Sequence, residues 1–252
     1  MRELSLAILL LVLGAATPAA ALERLPAVLH VHSTLSTGSH TLDELCTTAE
    51  RNGIGALLLS ENYLLRIEYG LAPFRALTRV VHEEPAVLDR LDDYLARVAA
   101  VRRRFPNLVI VPGVEVMPHY HWSGTPLALS LRLHDTQKNL LLFGAGDAAA
   151  LRRLPVTGNP AARALGVQSA IEALPAVLIA AGLVVLARPR VRRVRLGVAI
   201  VRVRQRRWLL GGVLLAIGVA AVVRGWPFTV DRYPPWRDFG LDPHQALIDD
   251  VE

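Results

Sequence analysis

Two histidines are the residues of this chain best suited to chemistry. His30 and His32 follow the apolar residues Ala27-Val28-Leu29 and stand two positions apart. Because side chains alternate between the two faces of a β-strand, both imidazoles are expected on the same face, a few ångströms apart. Imidazoles in that arrangement can bind one metal ion together. The Ser/Thr/Gly-rich segment that follows predicts a turn that keeps the site open.

The sequence around these histidines resembles the PHP (polymerase and histidinol phosphatase) family of metal-dependent phosphoesterases. The segment 30–38 resembles the family's first motif, His-x-His-Ser followed by Ser-Asp-Gly, with Thr37 in place of the aspartate. Leu58-Leu59-Ser60-Glu61-Asn62 stands where the family has Thr-Asp-His, and Val111-Pro112-Gly113-Val114-Glu115 resembles its Pro-Gly-x-Glu. The resemblance covers roughly residues 25–145 and implies a (β/α) barrel whose strand ends hold two or three divalent ions.

The resemblance also implies a set of metal ligands. His30 and His32 would be ligands, Glu115 would bridge ions, and Glu61 is a further candidate that matches the family's aspartate only in type. The cofactor would be divalent manganese, zinc or iron. Such ions activate water and neutralise the charge of a phosphoester.

Three positions depart from the family pattern. Thr37 replaces an aspartate, and Asn62 and Asn139 stand where histidines are expected. Amides bind zinc or manganese less well than imidazoles do. The replacements are therefore expected to weaken the binding of every ion except the one held by His30, His32 and Glu115.

The elements that must position these residues alternate between strand and helix. Thr41-Leu42-Asp43-Glu44 predicts a capping box that begins a helix, and Asn52-Gly53 predicts its end. The clearest helix is expected over 86–105, where apolar residues recur at helical spacing. Apolar runs predict strands at 55–59, 108–111 and 140–143. This α/β pattern favours a parallel sheet or barrel, in which strand ends converge on one face.

Other reactive residues have weaker contexts. His119-Tyr120-His121 is a second His-x-His that could add metal ligands, although a solvated or stacking loop is favoured because it lies past the family motif. His134-Asp135 is expected to be a loop pair rather than a relay. Ser60 lacks a Gly-x-Ser-x-Gly context. The sequence contains neither a P-loop nor a dinucleotide fingerprint. Cys46 is the single cysteine, which excludes an intrachain disulfide.

The positive charge of the chain is concentrated in one segment. The formal net charge is +6, from 28 basic and 22 acidic residues, but residues 188–207 hold nine arginines and no acid. The remainder carries 19 basic and 22 acidic residues, about −3. Nucleic-acid binding is not expected, because it requires a broader basic face.

Apolar segments predict a membrane protein. Residues 1–22 resemble a signal peptide, with an uncleaved anchor as the alternative. Two uncharged runs within 172–225 flank the arginines and predict a transmembrane hairpin with a cytoplasmic Arg-rich loop. A competing interpretation makes 183–189 a soluble strand, with Arg188 in place of a family histidine.

The hairpin divides the PHP-like domain into a first part, 25–165, and the truncated start of a resumed part, 226–252. PHP barrels continue with further strands and ligands, so the sequence is expected to be a fragment. The localisation predicted is the cell membrane, multi-pass, with the PHP-like domain on the extracytoplasmic side.

Two hypotheses follow for function. The first is a membrane-tethered, metal-dependent phosphoesterase that acts on a small phosphoester. The second is a catalytically degenerate PHP-like module that binds or scaffolds at the membrane. The intact first and third motifs favour the enzyme, and the altered second motif favours the binding module.

Overall fold

The computed structural model describes residues 24–144 and 146–251, so the predicted signal peptide or anchor at 1–22 lies outside the described residues. The described strands are β1 (Ala27–Val31), β2 (Ala56–Leu59), β3 (Glu61–Asn62), β4 (Leu65–Tyr69), β5 (Val80–Glu84), β6 (Val109–Val111), β7 (Gly113–Val116), β8 (His121–Ser123), β9 (Arg132–His134), β10 (Leu140–Phe143), β11 (Arg190–Leu196) and β12 (Ala199–Gln205). The described α-helices are α1 (Leu42–Arg51), α2 (Arg75–Thr78), α3 (Leu91–Arg104), α4 (Ala148–Arg152), α5 (Val167–Glu172), α6 (Ala176–Ala187), α7 (Trp208–Gly225) and α8 (Asp242–Val251).

A small parallel sheet carries the candidate site. β1, β2 and β6 pair in parallel, in that order, and the chain continues from β2 into β3 and from β6 into β7, which also pair in parallel. Helix α1 lies between β1 and β2 in the chain, and α3 precedes β6, so strand and helix alternate as predicted. The α/β class is confirmed for this part of the chain.

The fourth strand departs from the predicted parallel arrangement. β10 pairs with β7 in the antiparallel direction, Leu141 opposite Glu115. The connection between them holds the short antiparallel hairpin β8–β9 rather than a crossover helix, so the chain returns in the opposite direction. Within residues 24–144 and 146–251 the strands form small separate sheets and no closed barrel.

Helices α1 and α3 follow their sequence signals. The Thr41 side chain accepts from the Glu44 amide at 3.3 Å, and the Glu44 carboxylate accepts from the Thr41 amide at 2.8 Å, so the predicted capping box is present. α3 is preceded by a 3₁₀ turn, Leu88–Arg90, which splits the single helix predicted over 86–105. Both α-helices bury their apolar faces in one core with the strands.

Two helical segments are long and apolar enough to cross a membrane. The first, Val167–Ala187, has 21 residues, contains α5 and α6 and includes an 18-residue stretch with a mean hydropathy of 2.3. The second, Trp208–Gly225, has 18 residues with a mean hydropathy of 1.9. Only 11% and 17% of these segments is buried within the protein. The competing prediction of a soluble strand at 183–189 is wrong, because residues through Ala187 are helical.

The Arg-rich connection between these helices is folded. β11 and β12 form an antiparallel hairpin of seven paired positions, which corrects the prediction of a loop. Arginine and apolar residues alternate in parts of both strands at the two-residue period of a strand, as in Arg190-Val191-Arg192 and Arg202-Val203-Arg204.

The segment after α7 returns to the first part of the chain. The Trp122 amide donates to the Pro235 carbonyl at 2.7 Å, and Ala164 and Val230 form an antiparallel bridge. Leu247 of α8 is fully buried in the core that contains the sheet and α3. The chain segments before and after the apolar helices therefore share one hydrophobic core.

Candidate metal centre

The two histidines of the first motif leave β1 at a bulge. Leu29 pairs with Leu58 and Val31 pairs with Leu59, so His30 is the additional residue, and its φ of 64° lies in the left-handed region. The regular alternation predicted for this strand is therefore wrong at His30, because a bulge inserts one residue without a partner. The rings still lie near each other, with centroids 5.2 Å apart.

The three predicted ligands His30, His32 and Glu115 are brought together. Nε2 of His30 and Nε2 of His32 each lie 3.2 Å from Oε2 of Glu115. One ligand atom from each residue falls within 4.8 Å of the other two. Tetrahedral ligands at about 2.1 Å from one ion are roughly 3.4 Å apart, which is close to these separations. The donor set of two imidazoles and one carboxylate thus fits a single divalent ion.

Glu61 is not part of this group of ligand atoms. Its side chain is fully buried, and one carboxylate oxygen accepts from the Ser33 amide at 2.9 Å and from the Ser33 hydroxyl at 2.5 Å. The other oxygen accepts from the Ser36 hydroxyl at 2.5 Å. Glu61 therefore orders the turn after His32, a role that the sequence did not reveal.

That turn also faces the His32 ring. Oγ of Ser36 lies 3.5 Å from Nδ1 of His32 while its proton is donated to Glu61. When His32 is neutral, the arrangement favours the tautomer with its proton on Nδ1, which leaves the lone pair of Nε2 available to a metal ion. The turn can close this tightly because residue 38 is a glycine. A Cβ at this position would lie 2.1 Å from the His32 carbonyl oxygen.

Glu115 is held in its ionised form by its neighbours. Partial burial raises the pKa of its carboxyl, but hydrogen bonds from Asn139 and His30 and the charges of His30 and His32 outweigh burial, so the net pKa lies below its ordinary value. Nδ2 of Asn139 donates to Oε1 at 2.7 Å, which leaves Oε2 facing both imidazoles. An ionised carboxylate is the form that binds metal.

The three residues that depart from the family pattern surround the same site. Nδ2 of Asn62 donates to Oγ1 of Thr37 at 2.7 Å, so these two positions satisfy each other. Oδ1 of Asn139 is buried and has no hydrogen-bond partner among the described residues. With His32 and Glu115, these three residues line a cavity of about 460 Å³. The strand-end convergence predicted from the sequence is confirmed for this set.

The second His-x-His is buried rather than solvated. His119 is 1% exposed, its Nε2 donates to the Arg237 carbonyl at 3.0 Å, and its Nδ1 lies 2.9 Å from Oγ1 of Thr157. The His119 and His121 rings stack at 6.1 Å, so the stacking predicted for this segment is confirmed and the solvated alternative is wrong. Burial lowers the pKa of His119.

The residues around His121 were not all evident from the sequence. His121 stacks on His134 with ring centroids 4.7 Å apart, and its nitrogens face Asp135 and Asp238. The hydrogen bond from Lys138 lowers the pKa of Asp135. Asp238 lies more than one hundred positions after His121, and no local sequence pattern connects the two.

The chain was compared with protein-family models, with curated proteins and with solved structures, and it matches none of them.

Proposed function

We propose that His30, His32 and Glu115 bind one divalent metal ion, and that the chain is a membrane-tethered, metal-dependent phosphoesterase of the PHP type, built on part of the family's (β/α) barrel. The observation that supports this most directly is the spacing of the three ligand atoms, with both Nε2 atoms 3.2 Å from the same carboxylate oxygen. Zinc, manganese and iron are the ions that suit this mixture of imidazole and carboxylate.

Several residues of the chain have separate roles at such a site. Bound there, a divalent ion supplies Lewis-acid polarisation and a more acidic water. Ser36 and Glu61 orient the His32 ring, and Asn139 orients the Glu115 carboxylate. The buried Oδ1 of Asn139 has no partner in the described part of the chain, so it can accept a hydrogen bond from a group that enters the site.

The cavity beside the ligands is suited to a small phosphoester. Its lining includes the neutral hydrogen-bonding side chains of Thr37, Asn62 and Gln137 and the exposed imidazole of His82. These groups can bind phosphoryl oxygens without a P-loop. The cavity, of about 460 Å³, has room for a small substrate.

Membrane attachment completes the proposal. The helical segments Val167–Ala187 and Trp208–Gly225 would span the bilayer, and the arginines of β11 and β12 would stay in the cytoplasm. The metal site would then face the extracytoplasmic side. A reporter fused at residue 198 should report a cytoplasmic position, and an extracytoplasmic signal would overturn this topology.

The experiment that tests the enzyme is a comparison of three detergent-purified proteins: the parent, the double variant His30→Ala/His32→Ala, and the control His40→Ala. His40 is exposed and lies outside the ligand group. Elemental analysis after supplementation with manganese, zinc or iron should find one ion that the double variant loses and His40→Ala keeps. Hydrolysis of p-nitrophenyl phosphate should follow the same pattern.

A double variant that retains all bound metal and activity would overturn the metal site. Metal binding without hydrolysis across a panel of phosphoesters would instead favour the second candidate, a catalytically degenerate binding module. Two amides support that candidate, because they stand where the PHP family has further ligands. The Asn62 amide donates to Thr37, and the Asn139 amide donates to Glu115.

A further inference from the structure

A second group of possible metal ligands lies at the second His-x-His. One nitrogen of His121 and one oxygen each from Asp135 and Asp238 lie within 4.8 Å of one another. None of these residues belongs to the three motifs on which the PHP resemblance depends. The three come from separate places: the start of β8, the turn after β9, and the segment that follows the apolar helices.

The distances in this group are unlike those of a hydrogen-bonded cluster. Nδ1 of His121 lies 3.5 Å from Oδ2 of Asp135, and Nε2 lies 4.0 Å from Oδ2 of Asp238. An imidazolium clamped by two carboxylates would form bonds of about 2.7–2.9 Å. The 3.5 Å between Nδ1 and Asp135 is instead close to the roughly 3.4 Å that separates tetrahedral ligands at about 2.1 Å from one ion, and a single nitrogen of His121 lies within 4.8 Å of an oxygen of each aspartate.

Each residue of the group offers one ligand atom. Nδ1 of His121 is buried and has no hydrogen-bond partner in the described residues. Oδ1 of Asp135 accepts from Lys138 at 2.8 Å and Oδ1 of Asp238 accepts from the Gly240 amide at 2.8 Å. In each aspartate, the second oxygen is the one that faces His121.

Stacking holds the His121 ring in place. Its centroid lies 4.7 Å from that of His134, with only 11° between the planes, and 6.1 Å from that of His119. His134 is in turn fixed by a 2.7 Å contact between its Nε2 and Oγ of Ser123. A ring whose orientation is fixed by its neighbours is the arrangement that metal ligands require.

We propose that His121, Asp135 and Asp238 form a second divalent-cation site, separate from the His30–His32–Glu115 site, which takes Zn²⁺ or Mn²⁺. One imidazole and two carboxylates suit these ions, and the remaining coordination positions are left to water. Because Asp238 follows the apolar helices while His121 and Asp135 precede them, the ion fastens the returning segment to the α/β part.

The test uses the full chain in detergent and removes the first site so that the two proposals can fail separately. In the His30→Ala/His32→Ala background, calorimetric titration with Zn²⁺ should still detect one ion per chain. Adding Asp238→Asn should weaken that binding at least 10-fold, because one of three protein ligands loses its charge. The matched control Asp250→Asn, which removes an acid outside the group, should leave it unchanged.

Lys138 supplies a variant that acts in the opposite direction. Its ammonium occupies one oxygen of Asp135 and opposes a cation there. In the same background, Lys138→Met should tighten Zn²⁺ binding several-fold. Hydrogen exchange of the amides at 230–241 should also slow when Zn²⁺ is added to the background protein, and this slowing should be absent from Asp238→Asn.

Two results would overturn the second site. One is a His30→Ala/His32→Ala protein that takes up no Zn²⁺ or Mn²⁺. The other is an Asp238→Asn variant that binds as tightly as its background. Either result leaves the first site to be judged on the parent protein alone.

Discussion

At the scale of single residues, the candidate centre depends on a chain of contacts that begins at a buried carboxylate. Glu61 accepts from Ser33 and Ser36, and Ser36 faces Nδ1 of His32. A fully buried charge is tolerated only when hydrogen bonds satisfy it, and here three donors do so. Glu61 is therefore expected to act on the proposed metal site through the orientation of His32.

The first prediction concerns this positioning role. Glu61→Gln removes the charge and reverses one hydrogen bond, so divalent-ion affinity at the first site should fall about 10-fold or more. The free energy of unfolding should fall by about 1–3 kcal/mol. Titration calorimetry and chemical unfolding measure the two effects. Glu50→Gln, an exposed change in α1, is the control, and equal affinities for both variants would contradict the role.

The second prediction concerns the pH dependence of stability. Burial lowers the pKa of His119 in the folded protein, whereas the unfolded chain binds a proton near pH 6.5. Below about pH 6.5 the unfolded state therefore binds more protons, so the free energy of unfolding decreases as the pH falls. Chemical unfolding between pH 7.5 and 5.5 should show this slope.

His119→Gln should reduce that slope because the variant has no group to titrate at this position. The exposed His40→Gln should keep the slope of the parent. A His119→Gln protein with an unchanged pH dependence would contradict the assignment of the slope to His119.

At the scale of elements, the two apolar helices approach each other through glycines. A Cβ at Gly182 would lie 2.8 Å from the Leu215 amide nitrogen, and one at Gly218 would lie 2.8 Å from the Ile179 amide nitrogen. Small residues at such positions let helix backbones pack closely, as they do between transmembrane helices. Gly212 lies on the same helix as Gly218, and no atom of residues 24–144 or 146–251 lies within 4 Å of a Cβ added there.

The third prediction compares these two glycines. Gly218→Leu should destabilise the packing of α6 against α7 by about 1–3 kcal/mol, because backbone atoms cannot move aside for the new side chain. Gly212→Leu adds the same side chain to open space and should be neutral or slightly stabilising. Thermal unfolding in detergent measures both. A Gly218→Leu protein as stable as Gly212→Leu would contradict the packing.

The Arg-rich hairpin is a second element whose charges matter. Arg193 stands directly opposite Arg202 in the antiparallel register, and like charges in that position repel. The segment 188–207 contains no acidic residue that could offset them. Anionic lipid headgroups at a membrane surface would offset this repulsion, which is consistent with the proposed attachment.

At the scale of the whole molecule, the two apolar helices interrupt one core. Residues before them and after them contact each other through Thr157, whose hydroxyl donates to the Tyr233 carbonyl at 2.9 Å, and through His244, whose Nε2 donates to the Lys138 carbonyl at 2.9 Å. Arg163 and Asp231 add a partly buried ion pair at 3.1 Å. The returning segment is therefore part of the α/β unit.

The fourth prediction tests that unity. Leu247 is fully buried in the core, whereas its neighbour Ile248 is 40% exposed. Leu247→Ala should lower the free energy of unfolding by about 2–5 kcal/mol through lost burial and a cavity. Ile248→Ala should cost less than half as much. Equal effects of the two changes in chemical unfolding would indicate that α8 does not contribute to the core.

The local features of this protein could be predicted from short stretches of its sequence. The capping box at Thr41 and the apolar period of α3 follow from interactions between residues a few positions apart, so their signals are complete within the sequence. The two apolar helices follow from composition alone. His30, His32 and Glu115 were found through motif resemblance, and their convergence followed from the expectation that strand ends meet.

Other features of the fold and of the candidate sites depend on tertiary contacts. The bulge at His30, the antiparallel direction of β10 and the burial of Glu61 beneath the motif turn depend on partners in distant segments. The group of His121, Asp135 and Asp238 is the clearest case, because its members lie on both sides of the apolar helices. Such contacts form through long-range packing of the chain, which cannot be predicted from the spacing of residues in the sequence.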